Sequence, residues 1–161
     1  MFKRSAFPSL MLVVGLAGPL AAQSGTGTFS TIPMASDTIA MPDGAAHIMN
    51  HYQQITLANS ATYPIHNTKL DCVAMFRIVG DMPQAGSGSC FGQSLDGHGY
   101  TMWWQMTEVA TSACPDACGT WGVYGGYGRF AGMTGGGNWK RNGQFMDGSS
   151  SGTWTGTLTK K

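Results

Sequence analysis

Cys118 to Trp139 reads CGTWGVYGGYGRFAGMTGGGNW, and the spacing of its glycines among tryptophans and tyrosines decides which folds the chain can adopt. Gly119 to Tyr124 reads as a strand, Gly125 to Gly128 as a turn, Arg129 to Thr134 as a short crossing segment, and Gly135 to Gly137 as the opening of another strand. Trp and Tyr suit a pleated, half-buried surface, while glycine within such a pattern marks bends and bulges. The stretch is therefore a β-corner, with a ligand-binding loop as the alternative. In a corner, Arg129 serves as a clasp for nearby carbonyls rather than as a substrate group.

Outward from this corner the same chemistry continues. Only 11% of the residues are charged, and 24 of 161 are glycine, a balance that favours short strands and many turns over helices laced with charge pairs. Tyr100, Met102, Trp104 and Met106 alternate with Thr101, Trp103, Gln105 and Thr107, which puts Trp104 in the core and Trp103 at the surface or rim. Trp139, Arg141, Gly143 and Phe145 share one face. Gly152, Trp154, Gly156 and Leu158 share another, and Asp147-Gly148 between them is a hairpin signal. Ala45 to Asn59 and Leu70 to Val79 read as further strands, with His47 and His51 on one face of the first. Arg77, among Val73, Met75 and Val79, is either exposed or a polar group in a cavity. Gly80 to Ser89 reads as a turn region. Six or more strands without a credible long helix imply an all-β antiparallel barrel or sandwich.

The amino terminus, MFKRSAFPSLMLVVGLAGPLAAQSG, joins a basic start at Lys3 and Arg4 to an apolar run and small residues at Ala21 and Ala22. Residues 1–22 are thus expected to be a secretory signal peptide, 23–36 a flexible arm, and 37–161 a single barrel domain. The location implied is periplasmic or secreted, with no membrane anchor once the signal is removed. Beyond the signal, seven basic residues face eight acidic ones, which supplies no basic surface for nucleic acid. Four cysteines, Cys72, Cys90, Cys114 and Cys118, form an even set suited to an oxidising compartment. Of three connectivities, Cys72 with Cys90 and Cys114 with Cys118 is favoured, because each pair brackets a turn-rich segment. Zinc ligation by Cys114-x-x-x-Cys118 is the rival, and it lacks the partners to complete four ligands.

With those strands in place, a family resemblance can be stated. GGYGRFAGMTGGGNW, Gly125 to Trp139, resembles the glycine-turn signature of exported bacterial proteins whose fold is similar to the allene oxide cyclase and dirigent barrel. The preceding DCVAMFRIVGDMPQAGSGSCFGQSLDGHGYTMWWQ looks like the remainder of such a group, so the likeness runs from about Leu70 to Leu158. It implies an eight-stranded antiparallel, calycin-like barrel with a partly apolar interior. Ser94 to Gly99 departs from the more acidic loop usual there, and the polar groups used by the plant enzymes have no residue-by-residue match.

Function then rests on the barrel interior. Met106, Trp104, Trp139, Phe145 and Trp154 are expected to line a site for a small apolar molecule. A cyclase or isomerase would instead need at least two of Arg77, Arg141, His98 and Glu108 to converge. An envelope structural or interaction protein would expose Trp103 and Trp121 as a patch. No cofactor and no metal site is expected: Gly126-x-Gly128-x-x-Ala131 opens no helix, Gly-Lys-Ser/Thr is absent, and Gly86-Ser87-Gly88 lacks the spacing of a nucleophile elbow.

Overall fold

The computed structural model describes residues 22–80 and 82–161. Apart from Ala22, the segment read as a signal peptide lies outside them. Eight strands follow in order: β1 Gln23–Ala40, β2 Ala45–Ala58, β3 Thr68–Val79, β4 Met82–Ser94, β5 Gly99–Val109, β6 Ala117–Gly126, β7 Met133–Gln144 and β8 Ser150–Lys160. Each pairs antiparallel with the next, and β1 pairs with β8, so the sheet closes into a barrel. Closure leaves no free sheet edge. Among the described residues no helix is long and apolar enough to cross a membrane.

Two segments differ from the sequence expectation. Residues 23–36, expected to be a flexible arm, belong to β1, which pairs with β2 from Gly27 to Ala40 and with β8 from Gln23 to Thr31. The turn region expected at Gly80 to Ser89 is mostly β4, with Gly86, Ser87 and Gly88 opposite Phe76, Met75 and Ala74. Both strands were obscured for the same reason. Many of their inward positions are glycines, Gly25 and Gly27 on β1 and Gly86, Gly88 and Gly92 on β4, so their own apolar alternation is weak.

Those glycines are filled from the neighbouring strand. Gly27 is registered against Trp154, Gly152 against Phe29, Gly88 against Trp104, Gly92 against Tyr100, and Gly119 against Trp139. In every pair, a Cβ on the glycine would collide with the opposing ring. Each of these rings thus has a small residue on one flanking strand, as the narrow interior of a small barrel requires. The rings lie flat enough for their indole N–H groups to reach the backbone of the strand beneath. Trp121 donates to Thr155 O at 3.1 Å, Trp139 to Thr120 O at 3.1 Å and Trp154 to Thr28 O at 3.3 Å. Trp121 and Trp154 meet edge to face at 5.8 Å between centroids.

One end of the barrel is plugged. The loop between β2 and β3 folds Tyr63 and Ile65 inward, and the 3-10 turn Gly128–Phe130 in the β6–β7 connection inserts Phe130, all three being fully buried. Phe130 packs on Tyr100 at 4.9 Å. Tyr100 shares a 3.0 Å hydroxyl contact with Thr68, and Tyr63 donates to Gly156 O at 3.1 Å. The glycine-rich corner is therefore the lower closure of the barrel. Its Arg129 clasps differently from expectation, with its guanidinium 3.8 Å from Asp96 and 4.8 Å above the Phe130 ring rather than on carbonyls.

Both disulfides join the expected partners. Cys72–Cys90 links directly opposed positions on β3 and β4 inside the wall, and Cys114–Cys118 closes the end of the β5–β6 loop. They accord with an oxidising environment.

Gly156 offers a direct test of the ring-on-glycine packing, since a Cβ there would enter the Trp121 ring and approach Gly136 O at 2.9 Å. Gly156→Ala should destabilise the protein by about 2–3 kcal/mol, the range for overpacking a filled core. Thermal unfolding followed by circular dichroism should show a matching fall in Tm, whereas Gly44→Ala, at an open turn, should cost only the strain of its positive φ.

Candidate functional site

Opposite the plug the barrel is open, and a cavity of about 570 Å³ extends inward from the mouth. Its wall is built by strand alternation. On β2, Ile48, Asn50, Tyr52, Gln54 and Thr56 all line the space, and residues two apart on a strand stand about 6.6–6.8 Å from each other. Four of the five carry neutral polar groups. Phe76 and Ile78 of β3, Met102, Trp104 and Met106 of β5, Trp121 of β6, Trp139 of β7 and Trp154 of β8 supply an apolar wall. Thr31 and Ser150, joined by a 2.7 Å hydroxyl contact, add polarity on the β1–β8 side.

Among the described residues, the two charged side chains on this lining, Asp116 and Arg141, neutralise each other. Arg141 grips Asp116 through two parallel hydrogen bonds, Nε to Oδ2 at 2.7 Å and Nη2 to Oδ1 at 2.6 Å, with its side chain only 21% exposed. Bidentate geometry fixes both groups at the mouth. Asp116 is carried by the β5–β6 loop, whose neck is closed by Ala110 N–H donating to Asp116 O at 3.1 Å. That bond holds Ala110 at a φ of 52°, a left-handed conformation costing a residue with a Cβ about 1–2 kcal/mol.

Deeper in, Tyr52 faces the Cys72–Cys90 bridge and Trp104 lies over Gly88. Tyr52 Oη lies 3.9 Å from Cys90 Sγ, and burial pushes its phenol well above the ordinary tyrosine range, so it keeps its proton. Trp104 stacks between Phe76 at 5.6 Å and Trp139 at 5.7 Å, the latter edge to face. Its indole N–H is turned to the Tyr52 side and, among the described residues, makes no hydrogen bond, unlike those of Trp121, Trp139 and Trp154.

The expected site residues divide sharply. Met106, Trp104, Trp139 and Trp154 line the cavity, but Phe145 does not. Pairing of β7 with β8 slips between Arg141 and Gly143, and a one-residue slip exchanges the two faces of a strand. Gln144 therefore reaches the mouth, while Phe145 is 64% exposed in the following turn. Trp121, expected beside Trp103 in a surface patch, is buried on the inner face, so that patch does not form. Of the polar candidates, Arg141 alone reaches the cavity. Arg77 lies outside, paired with Asp43 at 2.8 Å. Glu108 is exposed and accepts from the Thr111 hydroxyl at 3.2 Å. His98 lies near the plugged end, 3.2 Å from Asp96; the Ser94 hydroxyl, ahead of Arg129 and His98, holds the Asp96 carboxyl below its usual range. Asn50, Tyr52, Gln54 and Asp116 were not singled out in the sequence, because polar residues inside a strand read as its solvated face. Among the described residues, no three His, Cys, Asp or Glu side chains gather as a metal site would require.

Two consequences are measurable. Asp116→Ala and Arg141→Ala should each cost about 1–2 kcal/mol, less than a fully buried pair because solvent screens part of the mouth. Urea unfolding of both single variants and the double variant should return a coupling near 1 kcal/mol. The second concerns alkali. Burial raises Tyr63 from 10.0 to about 12 and shifts Tyr52 and Tyr100 in the same direction. Each therefore holds its proton more tightly when folded than when unfolded. Stability should be full below about pH 10 and decline as pH rises through 12, with Tyr63→Phe flattening the decline; unfolding isotherms across that window would measure it.

No family model matches the chain, and no curated protein matches it. Among solved structures, the pterocarpan synthase dirigent protein GePTS1 superposes with a TM-score of 0.53 over 96% of this chain and 100% of its own, at 11% sequence identity. That similarity establishes a dirigent-like barrel fold.

Proposed function

We propose that the protein is exported and binds a small, uncharged, largely apolar molecule inside the barrel. The cavity carries this reading. Its volume of about 570 Å³ falls within the ~300–1,000 Å³ typical of ligand pockets, and an apolar lining with a few placed polar groups is their usual character. Neutrality of the guest follows from the lining. Arg141 and Asp116 cancel, and among the described residues every other polar side-chain group there is a hydroxyl, an amide or an indole N–H, all neutral. A buried charge would lack a free counter-ion and would lose its hydration. Asn50, Tyr52 and Gln54 run along β2 opposite the aromatic wall, so a flat guest with neutral oxygens along one edge satisfies both sides.

The cyclase or isomerase alternative loses support from the same geometry. Arg77, Glu108 and His98 do not meet Arg141, and the convergence such chemistry needs is missing from those four residues. Export is supported by the two disulfides and by the amino-terminal pattern.

Titration with the neutral naphthalene dye prodan tests the proposal. A saturable blue shift in its emission is expected, and Ile48→Trp, which fills the cavity, should weaken binding at least about tenfold, the loss of roughly 1.4 kcal/mol of contact. Absence of saturable binding, or affinity indifferent to Ile48→Trp, would overturn it.

A further inference from the structure

The loop between β5 and β6 is built unlike the neighbouring connections at the open end. Met41 to Gly44 and Phe145 to Gly148 are tight turns, each closed by a backbone hydrogen bond. The β5–β6 loop is wider and folds back over the opening, bringing Ala110, Pro115 and Asp116 onto the cavity lining. Its returning limb is pinned by the Cys114–Cys118 disulfide, which brackets Pro115 and Asp116. The bridge therefore fixes the carboxylate that Arg141 grips.

Two further observations bear on what the bridge does. The outer part of the loop has its own supports: Cys114 N–H donates to Thr111 O and Oγ1, and Lys140 Nζ donates to Ala113 O at 3.3 Å. Pro115 and Asp116 depend instead on the bridge, the ion pair and the strained neck at Ala110, where φ is 52°. The two disulfides also differ in access. Cys72 and Cys90 are both buried in the core, whereas the Cys114–Cys118 bridge pairs a buried Cys114 with a Cys118 that is only half-buried on β6, so Cys118 is the accessible sulfur.

We propose that Cys114–Cys118 is a redox latch on the cavity mouth. Oxidised, it holds Pro115 and Asp116 across the opening. Reduced, it lets the neck relax from its left-handed conformation and frees the loop to swing away from Arg141. A dithiol supplies the chemistry: its thiolate attacks Cys118 Sγ, the protein S–S bond breaks, and Cys114 leaves as a thiolate that takes up a proton. The reductant's second thiol then displaces Cys118, so the protein gains two electrons and two protons while the dithiol becomes a cyclic disulfide. As regulation of ligand entry, the latch rests on the binding function proposed above; the movement of the mouth can be measured without a ligand.

The test uses the exported chain in a Trp103→Phe background, which removes the outer-face indole. Acrylamide quenching of the remaining tryptophans and amide hydrogen exchange across 109–117 are compared for the oxidised protein, the same protein reduced with dithiothreitol, and Cys114→Ser/Cys118→Ser. Opening should at least roughly double the quenching constant and speed exchange of the Ala110 amide on the order of tenfold, with the β8 amides unchanged. The double variant keeps Cys72–Cys90, so it isolates the latch should dithiothreitol also reach the core bridge. Equal quenching and equal Ala110 exchange in oxidised protein and double variant would overturn the latch. Prodan binding that survives in that case leaves the ligand reading standing, and faster quenching without prodan binding removes the ligand reading alone.

Discussion

Inside this barrel a large ring on one strand requires a glycine on the strand beside it. Trp154 over Gly27, Trp104 over Gly88, Tyr100 over Gly92, Trp139 over Gly119 and Phe29 over Gly152 are all directly registered pairs. Eight strands enclose a space just wide enough for side chains to fill, so each inward tryptophan has a glycine on one flanking strand, even where, as at Trp104–Trp121 and Trp139–Trp154, the strand on its other side also sends an indole inward. For three of the four inward tryptophans, packing on glycine also solves a polar problem. Lying on bare backbone, the rings of Trp139 and Trp154 bring their indole N–H to a carbonyl of the next strand, and that of Trp121 reaches across β7 to Thr155 O of β8, which satisfies donors that burial would otherwise strand. Register, packing and hydrogen bonding thus depend on one alternation of large and small.

The cavity follows from where that alternation stops. Towards the plugged end, Tyr63, Ile65 and Phe130 enter from loops and complete the filling begun by Tyr100, Leu70 and Leu158. Towards the mouth, the connections around Met41 to Gly44 and Phe145 to Ser149 are short turns that send no side chain inward. Inward residues there are of middle size, including Thr31, Ile48, Asn50 and Ile78, and they do not meet across the barrel. The glycine-rich corner between β6 and β7 accordingly shapes the site from a distance. By carrying Phe130 into one end, it assigns the free volume to the other.

Much of this was legible from residue order, and what was hidden was hidden by glycine. The alternation in Tyr100 to Met106 and in Gly152 to Leu158 identified β5 and β8, and cysteine position identified both bridges. β1 could not be read in the same way, because its inward face is Gly25, Gly27 and Phe29, and the apolar matter covering the glycines belongs to Tyr63 and Trp154. The same holds for Gly86 and Gly88 on β4, which lie under Phe76 and Trp104. The signal for such strands resides in their partners, so local composition resembles a linker. Phe145 was misplaced for a different reason: strict period 2 carries it inward, and only the slip after Arg141 turns it out. The polar side of the site escaped notice because Asn50, Tyr52 and Gln54 look like solvent-facing residues until closure of the sheet shows which face is inside.

Closure also explains why the polar groups of the cavity suit recognition better than proton transfer. Arg141 has its carboxylate partner already, and both oxygens of Asp116 are engaged by it. Tyr52 is held protonated by burial, far from the range in which a phenol trades its proton at neutral pH. Asn50, Gln54 and Thr56 do not titrate, and Gln54 already donates to Thr56 Oγ1 at 3.1 Å. These groups present fixed dipoles of unchanging charge on one wall, facing rings that offer area without directionality. Under the proposed binding function, a guest would be discriminated by how its few oxygens fall along β2, since leaving a buried amide or hydroxyl unpaired costs more than losing one apolar contact. On that same proposal, β2 would set the orientation of a guest, and the tryptophan wall opposite it the affinity.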